Sequence, residues 1–281
     1  MSNATAATYS RHHAHPPQQT APAARTWITR GANFVVCVSD VEPGAVLARE
    51  NQSDESAIFF ATASGTVEAG KESLDATAET LVIVPPGASR ITAKTAGRLV
   101  RVFSTQAADL AAQADNAAIY ANGAPEVAPL TPWPDPPGGF KLRSYAVNDY
   151  TKPDSNMRIF RSTNLMINVM TRRMVARDVK KLSPHSHVDF EQGSLALQGD
   201  WMHHMRHPWT PDMNQWKDDE HVEMGSPSLL VIPPKVIHTS RNLNDGGAWL
   251  LDIFAPPRVD FSNKGMVCNA DEYPMPPAAA K

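Results

Sequence analysis

The stretch PHSHVDFEQGSLALQGD, residues 184–200, decides how this chain folds. His185 and His187 are one residue apart, and in an extended strand positions i and i+2 point to the same face. The apolar run SLAL follows and is ended by a turn at Gly199 and Asp200. Downstream, PPKVIHTSRN, residues 233–242, carries His238 and Asn242 on a second β-like run that opens at a Pro-Pro turn. Two imidazoles on one strand face, with His238 on a second β-like run, make a candidate metal site in a chain of short strands. Three nitrogens and one oxygen suit Fe(II), Mn, Ni, Co or Zn, and spacing does not choose among them.

Working outward, the same landmarks occur twice. TLVIVPPGASRI (80–91) matches LLVIPPKVIHTS (229–240), and ATASGTVE around Gly65 matches LALQGDWM around Gly199. Two copies of one β module are therefore expected. Gly199 to Pro233 spans 34 positions against 20 from Gly65 to Pro85, so the second copy holds 14 more residues. The excess falls in MHHMRHPWTPDMNQWKDDEH, within 200–224, which is expected to form an added hairpin or lid. On this alignment the first-copy counterparts of His185, His187, Gln192 and His238 are Asn51, Ser53, Ile58 and Arg90. Ile58 coordinates nothing, so the first module is expected to hold no metal.

The rest of the chain divides around these modules. Residues 1–25, rich in Ala, Thr, Pro, Gln and His, show no periodicity and read as a disordered tail with His12, His13 and His15 in it. The first module covers 26–104. The Ala-rich run TQAADLAAQADNAAIYA predicts one helix and a Pro-rich linker follows, together 105–140; the second module covers 141–265 and a tail 266–281. The 281 residues carry a net charge of −3 with no basic stripe, which argues against nucleic acid as a partner. No apolar run approaches the roughly 18 residues of a membrane span, and the opening residues lack a secretory signal. The two cysteines, Cys37 and Cys268, make no disulfide framework, so a cytoplasmic location is expected.

The two histidine stretches resemble the paired motifs of the cupin superfamily, H-x-H-x(3,4)-E-x(6)-G and P-x-G-x(2)-H-x(3)-N. The resemblance implies an all-β bicupin: two double-stranded β-helix (jelly-roll) barrels joined by the helix and linker, with one divalent metal in the second. Family habit implies a homodimer. Where the motif has Glu, this chain has Gln192, with six residues between it and Gly199; Glu191 is one place earlier and is the alternative fourth ligand. Alternation points Glu191 to the opposite face, so Gln192 is preferred.

Beyond the histidines, WLLDIFAPPRVDF (249–261) puts Asp252 and Phe254 on one strand face, and Arg258 after a Pro-Pro turn. With the Gln ligand, Asp-x-Phe-x(3)-Arg resembles the small cupin of pectin and alginate catabolism that converts 4,5-unsaturated uronates into linear keto sugars. That resemblance covers about 75 residues of the second module and implies that Asp252, Phe254 and Arg258 line the substrate site. The inserted segment adds Trp201, His203, His204, His207, Trp209 and Trp216. In a strand one of His203 and His204 faces the cavity, and one of Arg172 and Arg173 points inward to hold a carboxylate. Three function classes remain for a small-molecule site of this kind. One is a non-redox isomerase or lyase acting on a carboxylate- or carbonyl-bearing sugar acid, with Asp252 as proton shuttle. The second is a non-haem Fe(II) dioxygenase of a small organic acid, and the third a non-catalytic binding module.

Overall fold

The structure, a computed structural model, describes residues 6–277. Short β-branched and aromatic runs bounded by Gly, Pro and Asp become strands, as their composition favours. In the first barrel, a seven-stranded sheet runs Arg143–Ala146, Thr80–Val84, Ser56–Phe60, Gly97–Ser104, Phe34–Val41, Ala24–Arg30, Gln19–Ala21. Its companion is a four-stranded sheet in the order Val46–Gln52, Gly87–Ala93, Gly65–Ala69, Glu72–Ala76. In the second barrel, a six-stranded sheet runs Thr8–Ser10, Ser228–Ile232, Gln192–Gln198, Trp249–Phe254, Met166–Val169, Ile159–Arg161. A three-stranded sheet, Glu220–Met224, Trp201–Arg206 and Ile237–Asn242, accompanies it. The strand pairings within these sheets are antiparallel.

Runs such as AIFFA, TLVIV and LLVI are continuously apolar because their strands are buried on both faces. Ala57, Phe59, Leu81, Ile83, Val100 and Val102 join Leu195, Leu229, Val231, Leu251 and Ile253 in one core between the barrels. The alternate residues Ile58, Phe60, Val82, Val84 and Leu99 fill the interior of the first barrel with aliphatic and aromatic groups. Each such side chain contributes about 1.5–3 kcal/mol on burial. The second barrel breaks this rule on its inner face: Asn168, Asp252 and Ser194 stand side by side across three strands. Each interrupts an otherwise apolar run.

Several sequence expectations are corrected. The tail 1–25 is not disordered over its described part. Thr8–Ser10 adds a strand to the second barrel's sheet beside Ser228–Ile232, and Gln19–Ala21 forms a hairpin with Ala24–Arg30. His12 is buried, with Nε2 3.0 Å from Thr29 Oγ1 and its ring near Trp27. The single Ala-rich helix is instead a short helix, Ala108–Gln113, followed by a 3-10 turn, Ala117–Tyr120. The Pro-rich linker buries Trp133, whose N–H donates to Thr163 O. Arg143–Ala146, expected in the second module, completes the first barrel's sheet beside Thr80–Val84, so each barrel borrows a strand from the other half of the sequence. The C-terminal segment buries Tyr273, which donates to Glu55; residues 278–281 lie outside the described residues.

The 14-residue excess lengthens an existing hairpin rather than adding one. Gly65–Ala69 pairs with Glu72–Ala76, and Trp201–Arg206 pairs likewise with Glu220–Met224 across the connection 207–219. That connection is tied at its base, where Glu220 accepts from the Tyr9 hydroxyl and bonds His207 Nε2 at 2.8 Å. Trp209 and Trp216 stack 4.5 Å apart on its surface.

Candidate metal centre

His185 and His187, expected on a strand, lie in the irregular segment ahead of Gln192–Gln198, and a single bridge joins that segment to the third histidine. His185 and His238 exchange backbone hydrogen bonds, at 3.1 and 2.8 Å, just before Gln192–Gln198 and at the start of Ile237–Asn242. The turn before His238 is held by Lys235, whose N–H donates to His187 O at 2.6 Å. Lys235 has φ +67°, the left-handed conformation that favours glycine, and stands where the motif has Gly; Gly87 (φ +112°) takes this place in the first barrel. The three ring centroids lie 4.4–5.1 Å apart, and one donor atom from each imidazole falls within 4.8 Å of the others. It is the one such cluster of His, Cys, Asp and Glu among the described residues.

The protonation pattern suits coordination. His185 Nδ1 and His238 Nδ1 each lie 2.9 Å from a backbone carbonyl, Ser183 O and Val236 O, so both donate and leave Nε2 as an acceptor. His238 Nε2 is buried and has no partner, the signature of a place where a cation fits. Burial pushes His187 down to about 3 and His238 down to about 4, so both rings are neutral at physiological pH, the form that ligates.

Gln192 Oε1 lies 2.8 Å from His187 Nε2, so the amide oxygen joins the cluster. Its orientation is set from behind. Gln192 Nε2 donates to Asp252 Oδ1 at 2.9 Å, Asn168 Nδ2 donates to Asp252 Oδ2 at 3.1 Å, and Asn168 Oδ1 accepts from Arg158 N–H at 3.1 Å. Burial raises the Asp252 carboxyl to about 6, leaving it ionised at neutral pH. Glu191 points the other way, accepting from Ala32 N–H at 2.6 Å and Tyr120 OH at 3.0 Å. Gln192, not Glu191, therefore stands with the histidines.

A cavity of about 370 Å³ opens on this cluster, lined among others by His185, Gln192, His238, Asp252, Phe254 and Arg258. Arg258 is there but already partnered: Nε and Nη2 reach Asp260 at 2.9 and 2.7 Å, and its guanidinium lies 3.7 Å over Phe261. Trp201 and Arg173 also line the cavity. Arg172 turns away to Glu79, at 2.8 Å, and to the face of Trp249. Of the paired histidines, His203 is the buried one and bonds Ser240 Oγ at 2.7 Å. Neither is among the residues that line the cavity, and His204 meets His221 on the outer face of the sheet, Nδ1 to Nδ1 at 2.8 Å. The sequence reading missed Asn168, Arg177 and Asp260. Asn168 left a signal, the polar break in LMINVM, whereas Arg177, in an irregular segment, and Asp260, in the short helix Val259–Asn263, left none.

No family model matches the sequence, and no curated protein matches it. Solved structures do. A single-substitution oxalate decarboxylase from Bacillus subtilis aligns over 91% of this chain and 78% of its own, at 14% identity and TM-score 0.59. AerE from Microcystis aeruginosa aligns over 85% and 95%, at 10% identity and TM-score 0.56. Oxalate decarboxylase from Bacillus subtilis at pH 4.6 aligns over 83% and 72%, at 15% identity and TM-score 0.55. At these identities the likeness is one of fold, and with one antiparallel barrel plan repeated in a single chain, that fold is a bicupin.

Proposed function

We propose that this protein is a metal-dependent bicupin enzyme acting on a small carboxylate- or carbonyl-bearing substrate, with isomerase or lyase chemistry. The observation that carries the reading is Asp252: a buried carboxylate, bonded directly to Gln192, that also lines the cavity. A divalent cation held by His185, His187, His238 and Gln192 supplies a Lewis acid for a substrate oxygen. The chain's own residues supply the remainder. Asp252 accepts one hydrogen bond on each oxygen and keeps a second lone pair on each, so it can take a proton from the substrate carbon and return it. Phe254 and Phe261 exclude water from one wall, and Arg258, its fork taken by Asp260, adds positive charge to that wall. The lining by Asp252, Phe254 and Arg258 together supports the resemblance to uronate-linearising cupins, and oxalate decarboxylase, a structural neighbour, is named for a small carboxylate.

The test is proton exchange. Protein stripped of metal and reloaded with Mn, Fe(II), Co, Ni or Zn is incubated without oxygen in deuterated buffer, with uronates and keto acids. NMR then follows deuterium entering next to the carbonyl or carboxylate. Metal-dependent incorporation, lost in His238→Ala, is expected. Oxygen uptake restricted to the Fe(II) form would instead establish the dioxygenase class, and stable metal binding without any turnover the binding class.

A further inference from the structure

The cavity's charge is lopsided: Arg173, Arg177, Arg258 and Lys264 line it against two carboxylates, Asp252 and Asp260. Arg258 is engaged by Asp260. Arg177 is engaged as well, donating to Ser240 O and Ser183 Oγ, both at 2.8 Å, which pins the loop it sits on against the barrel. Arg173 differs. Its backbone is fixed by exchange with Ala248, at 2.8 and 3.0 Å, while its guanidinium has no ion pair or hydrogen bond among the described residues. It is thus a positioned cation with its fork of donors unspent.

Its place relative to the histidines sets a length. Ala248 immediately precedes the strand Trp249–Phe254, along which Leu250, Asp252 and Phe254 all line the cavity. His187 and Arg258 pack against Phe254 at the far end. From Ala248 to Asp252 is four residues of extended strand, roughly 13 Å. The Arg173 side chain covers part of that separation, and a ligand that reaches both anchors spans the remainder.

We propose that the substrate is an elongated dicarboxylate, one carboxylate lying at the histidine cluster and the second pairing with Arg173. This rests on the reading of the cluster as a metal site that takes a carboxylate. The cobalt-loaded protein tests it, because the visible spectrum of the ion reports ligation. Unbranched dicarboxylates from oxalate to suberate are titrated beside their monocarboxylate counterparts. Affinity should rise by about tenfold once the chain is long enough to span both anchors. Arg173→Gln should erase that rise and leave the monocarboxylates unchanged, while Arg173→Lys retains part of it and Arg172→Gln retains all of it. Dicarboxylates no better than monocarboxylates at every length, or an Arg173→Gln effect equal on both, would overturn the proposal. A spectrum that responds to monocarboxylates but shows no length preference removes this inference alone. A spectrum indifferent to every acid removes the carboxylate reading beneath it.

Discussion

Asp252→Asn tests how the ligand set is built, because it preserves shape and removes one acceptor. In the native site Asp252 receives N–H groups from Gln192 at 2.9 Å and Asn168 at 3.1 Å. An asparagine there can accept from only one of them and must present its own NH2 to the other. Asn168 cannot turn over, since its Oδ1 is held by the backbone N–H of Arg158. Gln192 can, because His187 Nε2, on its other side, is either a donor or an acceptor according to tautomer. The relaxed variant therefore shows Gln192 NH2 to the histidines, and an amide nitrogen does not ligate. Binding a cation requires turning Gln192 back against an unsatisfied buried donor, a cost of about 1–3 kcal/mol. That is a loss of roughly 5–150-fold in metal affinity, the range typical for partners standing behind metal ligands. Chelator competition with Co(II) or Zn(II) measures it. The decisive variant is the exchange Asn168→Asp with Asp252→Asn. Residue 168 then accepts from Arg158 and from the new amide, which accepts from Gln192, and affinity returns to within a few-fold of native. Unchanged affinity in Asp252→Asn, or no recovery in the exchange, would refute the orientation argument.

Lys235→Gly relieves a left-handed backbone at φ +67°, with a net gain of about 1 kcal/mol after the glycine's extra chain entropy; a lower melting temperature would contradict the strain. Burial raises the Glu55 carboxyl above its ordinary range despite bonds from Thr163 and Tyr273. An acid raised in the fold stabilises most below its unfolded pKa of about 4.3 and loses that contribution as pH rises through the folded value. The stability difference between Glu55→Gln and the native protein should accordingly shift in favour of the variant between about pH 4 and neutrality, as denaturant titrations would register; a flat difference counts against it. Deleting residues 1–13 removes Thr8–Ser10 from its place beside Ser228–Ile232. Amide exchange should then accelerate at Ser228–Ile232, and unaltered protection there would mean that the arm does not cover that edge.

The barrels and the histidine cluster were legible because both follow from short-range rules. The His-x-His spacing brought His185 and His187 into one cluster although both lie ahead of the strand Gln192–Gln198, alternation separated Gln192 from Glu191, and the repeated Pro-Pro landmarks located His238. What stayed hidden depends on long-range pairing. Thr8–Ser10 has no apolar run of its own, and it is ordered by partners more than 200 residues away, Leu229 to Val231. Alternation said that one of His203 and His204 turns inward but not which; the register opposite Ser240 and Thr239 decides it. Arg258 was expected to line the substrate site, and it does so with its fork taken by Asp260, two positions along. Such a local pair is common in loops and distinguishes itself only when the chain is folded.

The first barrel lacks ligands yet takes part in the site. Adjacent residues divide the labour: Gln192, which opens the strand Gln192–Gln198, faces the histidines, and Glu191, just before it, faces the first barrel's turn, where Ala32 N–H and Tyr120 OH hold its two oxygens. The fit is close enough that a Cβ at Gly31 would lie 2.7 Å from Glu191 Oε2. The inner face of the second barrel interrupts its apolar packing with Asn168, Gln192, Ser194 and Asp252, where the first is apolar throughout its interior cluster. Its outer face joins the core that both barrels share. A barrel filled with aliphatic side chains thus provides rigidity to a neighbour whose interior is given over to chemistry, and Glu191 carries that rigidity to within one residue of a ligand.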